Sequence, residues 1–315
     1  MTKPQILRTV AQVRQWRRQA LLNNKTVGLV PTMGALHRGH LSLVGQSLSE
    51  NDHTIVSIFV NPSQFAPHED LDKYPRTVDE DLAKLEGAEP VLASASAVSR
   101  QVSAVFIPKV SEMYPSGITM DVSQQKGAFV SVVGLSEQLE GVTRPQFFRG
   151  VATVVTKLLN IVTPERVYFG QKDAQQCVVV KNLVRDLLID TEVRVMPTLR
   201  EPNGLAMSSR NAYLSQHMKD ESSVIYQALT RGEKYYLNKS SGDVGVASLE
   251  IIDEIRSELA SKNGFKIEYI AVSDPNTLED LSVVVPGTGA IISTALRVKN
   301  EEGNEMRLID NVCLQ

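Results

Sequence analysis

A chain of 315 residues with 42% hydrophobic and 22% charged residues can bury a sizeable core, and its length suits two domains better than one. A formal net charge of -3 leaves no general basic surface, which excludes a long nucleic acid as the default partner. Cys177 and Cys313 lack CxxC spacing and no apolar run reaches the roughly 18 residues of a membrane span, so a disulfide framework, a thiolate metal site and a membrane protein are excluded in favour of a reducing, cytoplasmic setting.

The opening stretch MTKPQILRTVAQVRQWRRQALLNN holds four arginines and no acid, as a mitochondrial presequence would. It reads better as a helix with Val10, Val13, Trp16 and Leu21 on one side and Arg14, Arg17 and Arg18 between them, leading straight into a strand. That strand, Val27-Gly28-Leu29-Val30, stops at Pro31 and turns through Gly34. The chain then delivers His37 and His40 to the first turn of a helix expected over 39–49, with Leu41, Val44 and Leu48 facing a sheet. Unpaired backbone N-H groups and the positive end of the helix dipole favour an anion such as a phosphate there, and disfavour a second cation. At least one imidazole is therefore expected to be neutral and donating. A zinc pair is the competing reading, but no third ligand stands nearby in a recognisable pattern, His53 and His68 being beyond the next strand or on a loop. The turn is not a GxGxxG fingerprint.

Residues 54–60 form a β-branched run suited to a parallel strand covered on both faces, ending at Asn61-Pro62-Ser63-Gln64-Phe65. The Gln64 amide can donate and accept at once, although a solvated loop glutamine is the plain alternative. Thr77 and Glu80 form a candidate capping box for the next helix, and the acids of its first turn read as dipole partners. Residues 93–103 look like an exposed insertion, and 104–108 resume the sheet pattern. Strand-like pieces are expected at 118–122 and 129–133. A long helix follows to about Val162, buried through Val151, Val154, Val155, Leu158 and Leu159, with Arg144 and Arg149 flanking its entrance to hold carboxylates or cap neighbours.

A fourth strand, Val167-Tyr168-Phe169, ends in Gly170-Gln171-Lys172-Asp173, and a helix carrying Gln176 follows. Lysine between strand and helix is placed to meet a phosphate at the sheet's carboxyl edge, while Asp173 could equally cap the helix. After a fifth strand at 191–196 comes PTLREPNGLAMSSRN, either a solvated linker or a loop that closes over a polyphosphate with its serines and Arg210. Helices at about 216–236 and 246–261 and strands at 266–272, 290–298 and 306–312 then suit a small antiparallel sheet. The pattern predicts an α/β fold: a Rossmann-like doubly wound parallel sheet over 1–198 and a smaller C-terminal α+β domain over 199–315.

The ordered set PTMGALHRGH, FVNPSQF, YPRT, GQKDAQQ and MSSRN resembles the pantothenate synthetase (pantoate-beta-alanine ligase) family along nearly the whole chain. The first and last motifs look like the HIGH and KMSKS signatures of the wider nucleotidyl-transferring superfamily. The resemblance implies an enzyme that uses ATP and Mg2+ to condense pantoate with beta-alanine through a pantoyl adenylate, in homodimers. Residue by residue, Met33, Gly34, Ala35, Leu36, His37, Arg38, Gly39 and His40 match the ATP segment, His40 being the position assigned as proton donor. Gly170, Gln171, Lys172 and Asp173 match a second ATP segment, Met207, Ser208, Ser209 and Arg210 a third, and Leu199 a further nucleotide contact. Gln64 and Gln176 match the pair that grips pantoate. His37, His40, Lys172 and Arg210 are the expected catalytic groups, and the magnesium ligands are left unassigned.

This sequence departs from the family pattern at Phe147, where many members carry His, and in a longer stretch around 93–103. A nucleotidyltransferase that stops at the adenylate is the alternative enzyme. A tRNA-charging enzyme would need an anticodon-reading domain, and a nucleotide-sensing binding protein would bind ATP without releasing pyrophosphate.

Overall fold

A computed structural model describes residues 3–67, 69, 71–91, 100–242, 244–262, 264–299, 303 and 305–315. It divides into two compact units, Met1–Gly170 with Val179–Met196, and Gln171–Val178 with Pro197–Gln315.

In the first unit, among the described residues, six strands form one sheet in the order β1-β4-β3-β2-β5-β6: β1 Gln5–Leu7, β2 Val27–Thr32, β3 His53–Ile58, β4 Ala104–Phe106, β5 Arg166–Gly170 and β6 Glu192–Met196. Every pairing is parallel. Val30, Ile55, Val56 and Val105 have no solvent exposure, as expected of strands covered on both faces. The covering helices are α1 Val10–Leu22, α2 Arg38–Glu50, α3 Val78–Glu86 and α6 Phe147–Val162, with the single turns α4 Val110–Met113 and α5 Glu140–Thr143 between them. Strand order reverses between β2 and β5, so the loop carrying His37 leaves the sheet at its switch point, where doubly wound sheets bind ligands. Helix α7, Ala174–Asp186, follows β5.

Several expectations are corrected in this unit. β1 pairs with β4 ahead of α1, a strand too short to show a period. Helix α1 buries Val13, Arg17 and Ala20, spaced at i, i+4 and i+7, while Leu21 lies 53% exposed. Arg17 is tolerated inside because Nη2 donates to Glu165 Oε1 at 2.7 Å and Nε to the Thr163 carbonyl at 3.0 Å. The strand-like pieces at 118–122 and 129–133 are not strands. Their polar groups pair locally or with α6, Val130 N-H donating to Thr153 Oγ1 at 3.0 Å. Thr77 is the N-cap of α3, but its side chain makes no capping hydrogen bond. Of the supposed insertion, residues 93–99 lie outside the described residues, whereas Val102 is buried and Ser103 N-H donates to Thr54 O at 2.9 Å, leading directly into β4.

The second unit stacks helices on an antiparallel sheet ordered β11-β10-β8, from β8 Phe265–Ser273, β10 Ala290–Lys299 and β11 Glu305–Leu314. Helices α9 Val224–Lys239 and α10 Ser248–Ala260 cover it through Ala228, Leu229, Ile251 and Ile255 against Ile292 and Leu296. The short strands β7 Val246–Ala247 and β9 Val283–Val284 pair beside them. The helix expected over 216–236 is two helices, α8 Gln216–Glu221 and α9. Ser223 Oγ donates to the Asp220 carbonyl at 2.6 Å, offering the backbone a local partner in place of a continuing helix.

The starts of β2 and β3 are tied by Asp52, whose Oδ2 accepts from Thr26 N-H and Thr26 Oγ1, both at 3.0 Å, while Oδ1 faces Lys25 at 3.2 Å. The backbone bond from Thr26, with Lys25 beside it, holds the Asp52 carboxyl at about 2, below its ordinary 3.8. A depressed carboxylate stabilises the fold above its unfolded pKa, and that contribution disappears as pH falls toward 2. Asp52→Asn is expected to cost about 1 kcal/mol at pH 7, after allowance for solvent screening, with the difference narrowing between pH 4 and 2 in paired chemical-denaturation curves.

Candidate functional site

The loop between β2 and α2 is shaped by hydrogen bonds from its own backbone. Gly34 N-H donates to Thr32 Oγ1 at 3.2 Å, and that hydroxyl donates to the Ser57 carbonyl at 2.8 Å. At the helix start His37 is the N-cap: its Nδ1 accepts from Gly39 N-H at 3.1 Å, and His40 Nδ1 accepts from His37 N-H at 3.4 Å. The two histidines thus play the parts that Ser and Glu play in an ordinary capping box. Their ring centroids are 4.0 Å apart. An Nδ1 that accepts carries no proton, so each ring in this arrangement is the neutral tautomer with its donor at Nε2.

This geometry changes one expectation. Backbone N-H groups at the start of α2 were expected to be open to an anion, yet those of His37 and Gly39 already have imidazole acceptors.

Gln64 is only 7% exposed, and its amide orientation is determined by neighbours. Asn61 Nδ2 donates to Gln64 Oε1 at 3.1 Å, and Gln64 Nε2 contacts Met33 Sδ at 3.2 Å. Asn61 is itself held, its Nδ2 donating to the Gly150 carbonyl at 3.1 Å and its Oδ1 accepting from Tyr114 O-H at 2.6 Å. Burial raises the Tyr114 phenol above its ordinary value, which keeps that donor protonated. Gly150 on α6 permits the approach, since a Cβ there would collide with Ser63 O and stand 2.6 Å from Gln64 N. Asn61, Tyr114 and Gly150 were not singled out from sequence. Only the NPSQ turn after a strand pointed toward the first of them.

Arg144 grips a carboxylate within the chain. Its Nε and Nη2 both lie 2.6 Å from Glu69 oxygens, and Nη2 also donates to Gln64 O at 3.2 Å. Phe147, a departure from the family pattern, lies with its ring centroid 3.9 Å from that guanidinium and packs edge-on to Phe148. An apolar ring there supports Arg144 without adding charge. Arg149 instead meets the Gln125 side chain and the Phe129 ring, and burial lowers its pKa.

In the second unit, the Gln171–Asp173 turn is held by Asn311 of β11, whose Nδ2 donates to the Gln171 and Lys172 carbonyls at 2.9 Å each, while Gln171 Nε2 donates to Asn311 Oδ1 at 3.2 Å. Lys172 Nζ lies 3.5 Å from Asp173 Oδ1, and Gln176 sits half-buried in the first turn of α7. The adjacent Asp310 receives both Nη atoms of Arg200, at 2.5 and 3.1 Å. That ion pair anchors a tight return in which Met207 N-H donates to Leu199 O at 3.0 Å and Glu201 N-H to Leu205 O at 2.8 Å. Ser208 then caps a 3-10 turn, Ser209–Tyr213, its Oγ accepting from Arg210 N-H at 3.3 Å. The stretch 197–211 is therefore an ordered hairpin and turn, and neighbouring residues of β11 hold two of the segments singled out from sequence. Nothing in the spacing of β11 signalled this.

Residues 5–313 match the family model described as pantoate-beta-alanine ligase. A pantoate-beta-alanine ligase of Saccharomyces cerevisiae is 46% identical over 320 residues, covering 98% of this chain and 99% of the relative. A pantothenate synthetase of Herpetosiphon aurantiacus is 43% identical over 98% of this chain and 100% of its own length. Among solved structures, pantothenate synthetase from Thermus thermophilus superposes with a TM-score of 0.80 at 38% identity, covering 98% of each chain. Pantoate-beta-alanine ligase from Francisella tularensis, complexed with beta-gamma ATP and beta-alanine, gives 0.71 at 32% identity over 98% of this chain and 97% of its own. With a matching model from end to end and relatives above 40% identity over nearly all of their length, the chain belongs to the pantoate-beta-alanine ligase family.

Proposed function

We propose that the protein is an ATP-dependent ligase that condenses pantoate with beta-alanine, giving pantothenate, AMP and pyrophosphate. Membership of the family along the whole chain carries this reading. In the first stage a pantoate carboxylate oxygen attacks the α-phosphorus of ATP, a P-O bond forms, and pyrophosphate leaves with the electrons of the broken bond. The nucleophile is already ionised, so the obstacle is the repulsion between it and the triphosphate. Positioned donors and cations must therefore supply the acceleration.

His37 and His40 suit that task because their Nδ1 atoms are occupied and their Nε2-H groups donate without importing a full charge. We assign Lys172 and Arg210, with the Ser208 and Ser209 hydroxyls, to the charge that builds as pyrophosphate departs. Met33 to His40, Gly170 to Asp173, Leu199 and Met207 to Arg210 are the proposed ATP segments. Gln64 and Gln176 are the proposed pantoate contacts, the Gln64 amide having a second N-H for a pantoate oxygen. In the second stage the neutral amine of beta-alanine attacks the acyl carbon, AMP leaves, and the amide forms after loss of a proton. Water must be kept from the mixed anhydride, which it would hydrolyse.

Among the described residues no group of three or more His, Cys, Asp or Glu could cage a metal. Mg2+ would come with the triphosphate and, when bound, would offset phosphate charge, its ligands being left unassigned. The same reading has the chains paired and the reaction running in the cytoplasm. Among the described residues no helix is long and apolar enough to cross a membrane.

Incubation with ATP, pantoate and beta-alanine is expected to yield AMP and pantothenate in equal amounts. A stable adenylate that survives added beta-alanine would instead identify a nucleotidyltransferase. His40→Ala and Lys172→Ala should each slow pyrophosphate release by roughly 100-fold, measured in single turnovers. Gly150→Ala should raise the KM for pantoate by about 10-fold or more while ATP affinity changes little, since the added methyl displaces the Gln64 turn. Asn311→Ala should lower the first-stage rate by about 10-fold, because the Gln171 and Lys172 carbonyls lose their shared donor.

A further inference from the structure

The acids in the first turn of α3 suit the helix dipole, but Asp81 meets the β2–α2 loop instead. Asp81 has no solvent exposure. Its Oδ2 accepts from Ala35 N-H at 2.9 Å and its Oδ1 from Leu36 N-H at 2.7 Å. One turn along α3, Lys84 Nζ donates to the Leu36 carbonyl at 2.8 Å. The segment so gripped is the bend between β2 and the histidine cap, and it is strained: φ is +85° at Gly34 and +50° at Ala35. The left-handed region is open to glycine but costs a residue with a Cβ about 1 kcal/mol or more. A Cβ on Gly34 would also stand 3.1 Å from Asp81 Oδ2, so the carboxylate lies directly beneath the turn. On the same side a cavity of about 460 Å³, lined by Met33, Gly34, Thr77 and Lys109 among others, leaves room for the loop to relax if it is released.

We infer that Asp81 and Lys84 form a charged clamp whose role is to position the ATP-binding loop: α3 holds Ala35 and Leu36, and with them the histidine cap of α2, in the shape that receives the triphosphate. This rests on the ligase reading above. The physical basis is selectivity among donors. A negative charge placed among the amides of Ala35 and Leu36 takes those two N-H groups out of competition for phosphate, and charge-assisted bonds hold a bend that its own backbone energetics oppose. Lys84, bound to the carbonyl of the same peptide segment, stops it rotating about the carboxylate. Neither residue touches substrate in this scheme.

The test uses the full-length protein. Asp81→Asn keeps the shape but turns an N-H toward one of the two loop amides. Its KM for ATP is expected to rise about 10-fold to 100-fold, the KM for beta-alanine to stay within about 2-fold of wild type, and ATP affinity by calorimetry without pantoate to fall in parallel. A merely structural residue would lower the melting temperature without that split. Lys84 is exposed, so Lys84→Ala should fold normally, raise the ATP KM several-fold at an unchanged melting temperature, and be restored by Lys84→Arg. ATP parameters within about 2-fold of wild type in a folded Asp81→Asn overturn the clamp. If Asp81→Asn does not fold, wild-type ATP parameters in Lys84→Ala overturn it. Should wild-type protein itself release no pyrophosphate with pantoate present, the ligase reading fails, and the clamp is then judged on calorimetric ATP affinity alone.

Discussion

The bend that follows β2 depends on acceptors supplied by its own chain. Thr32, Asp81, His40 and His37 accept from Gly34, from Ala35 and Leu36, from His37 and from Gly39 in turn. A run of helix-start amides satisfied this way has one shape, and that shape decides which groups remain to meet an anion. Imidazole rings used as caps engage Nδ1, so the two histidines fix the start of the helix as well as standing at its positive end.

Support of the same kind recurs around the other proposed contacts. Gln64 is held by Asn61, which is held by Tyr114 and by a carbonyl that only a glycine at 150 allows close. Gln171 and Lys172 are held through Asn311, and the Leu199–Met207 return through Asp310 and Arg200. In each of these three cases a buried polar residue, Asn61, Asn311 or Asp310, fixes the segment proposed to meet ligand. Such buried side chains are costly when unpaired, which makes each loop geometry sharply defined.

Much of the architecture was legible in the sequence. The β-branched runs at 27–30, 54–60 and 167–169, the 3.6-residue spacing of Val151, Val155, Leu158 and Leu159, and the alternation after residue 265 each have a single economical fold. The histidine pair could be placed on the first turn of α2 from Pro31, Gly34 and the spacing alone. Less legible were β1, with three residues and no period, and 118–133, whose apolar residues mimic strands although Val122 and Val133 are exposed and the Val130 N-H is taken by Thr153 of α6. Arg17 was also missed: charge suggested solvent, whereas Glu165, far along the chain, provides a buried partner.

By itself the sequence determined what local chemistry determines: where strands and helices run, which motifs end at a sheet's carboxyl edge, and the family those motifs belong to. Only the tertiary structure decided which side chains hold those motifs in shape. Asp81 looked like any acid in a first turn, Gly150 like any helix glycine and Asn311 like any strand residue. Their importance comes from partners 46, 87 and 140 residues away, and a hydrogen bond or a close approach between such distant positions leaves no periodic trace in a linear chain.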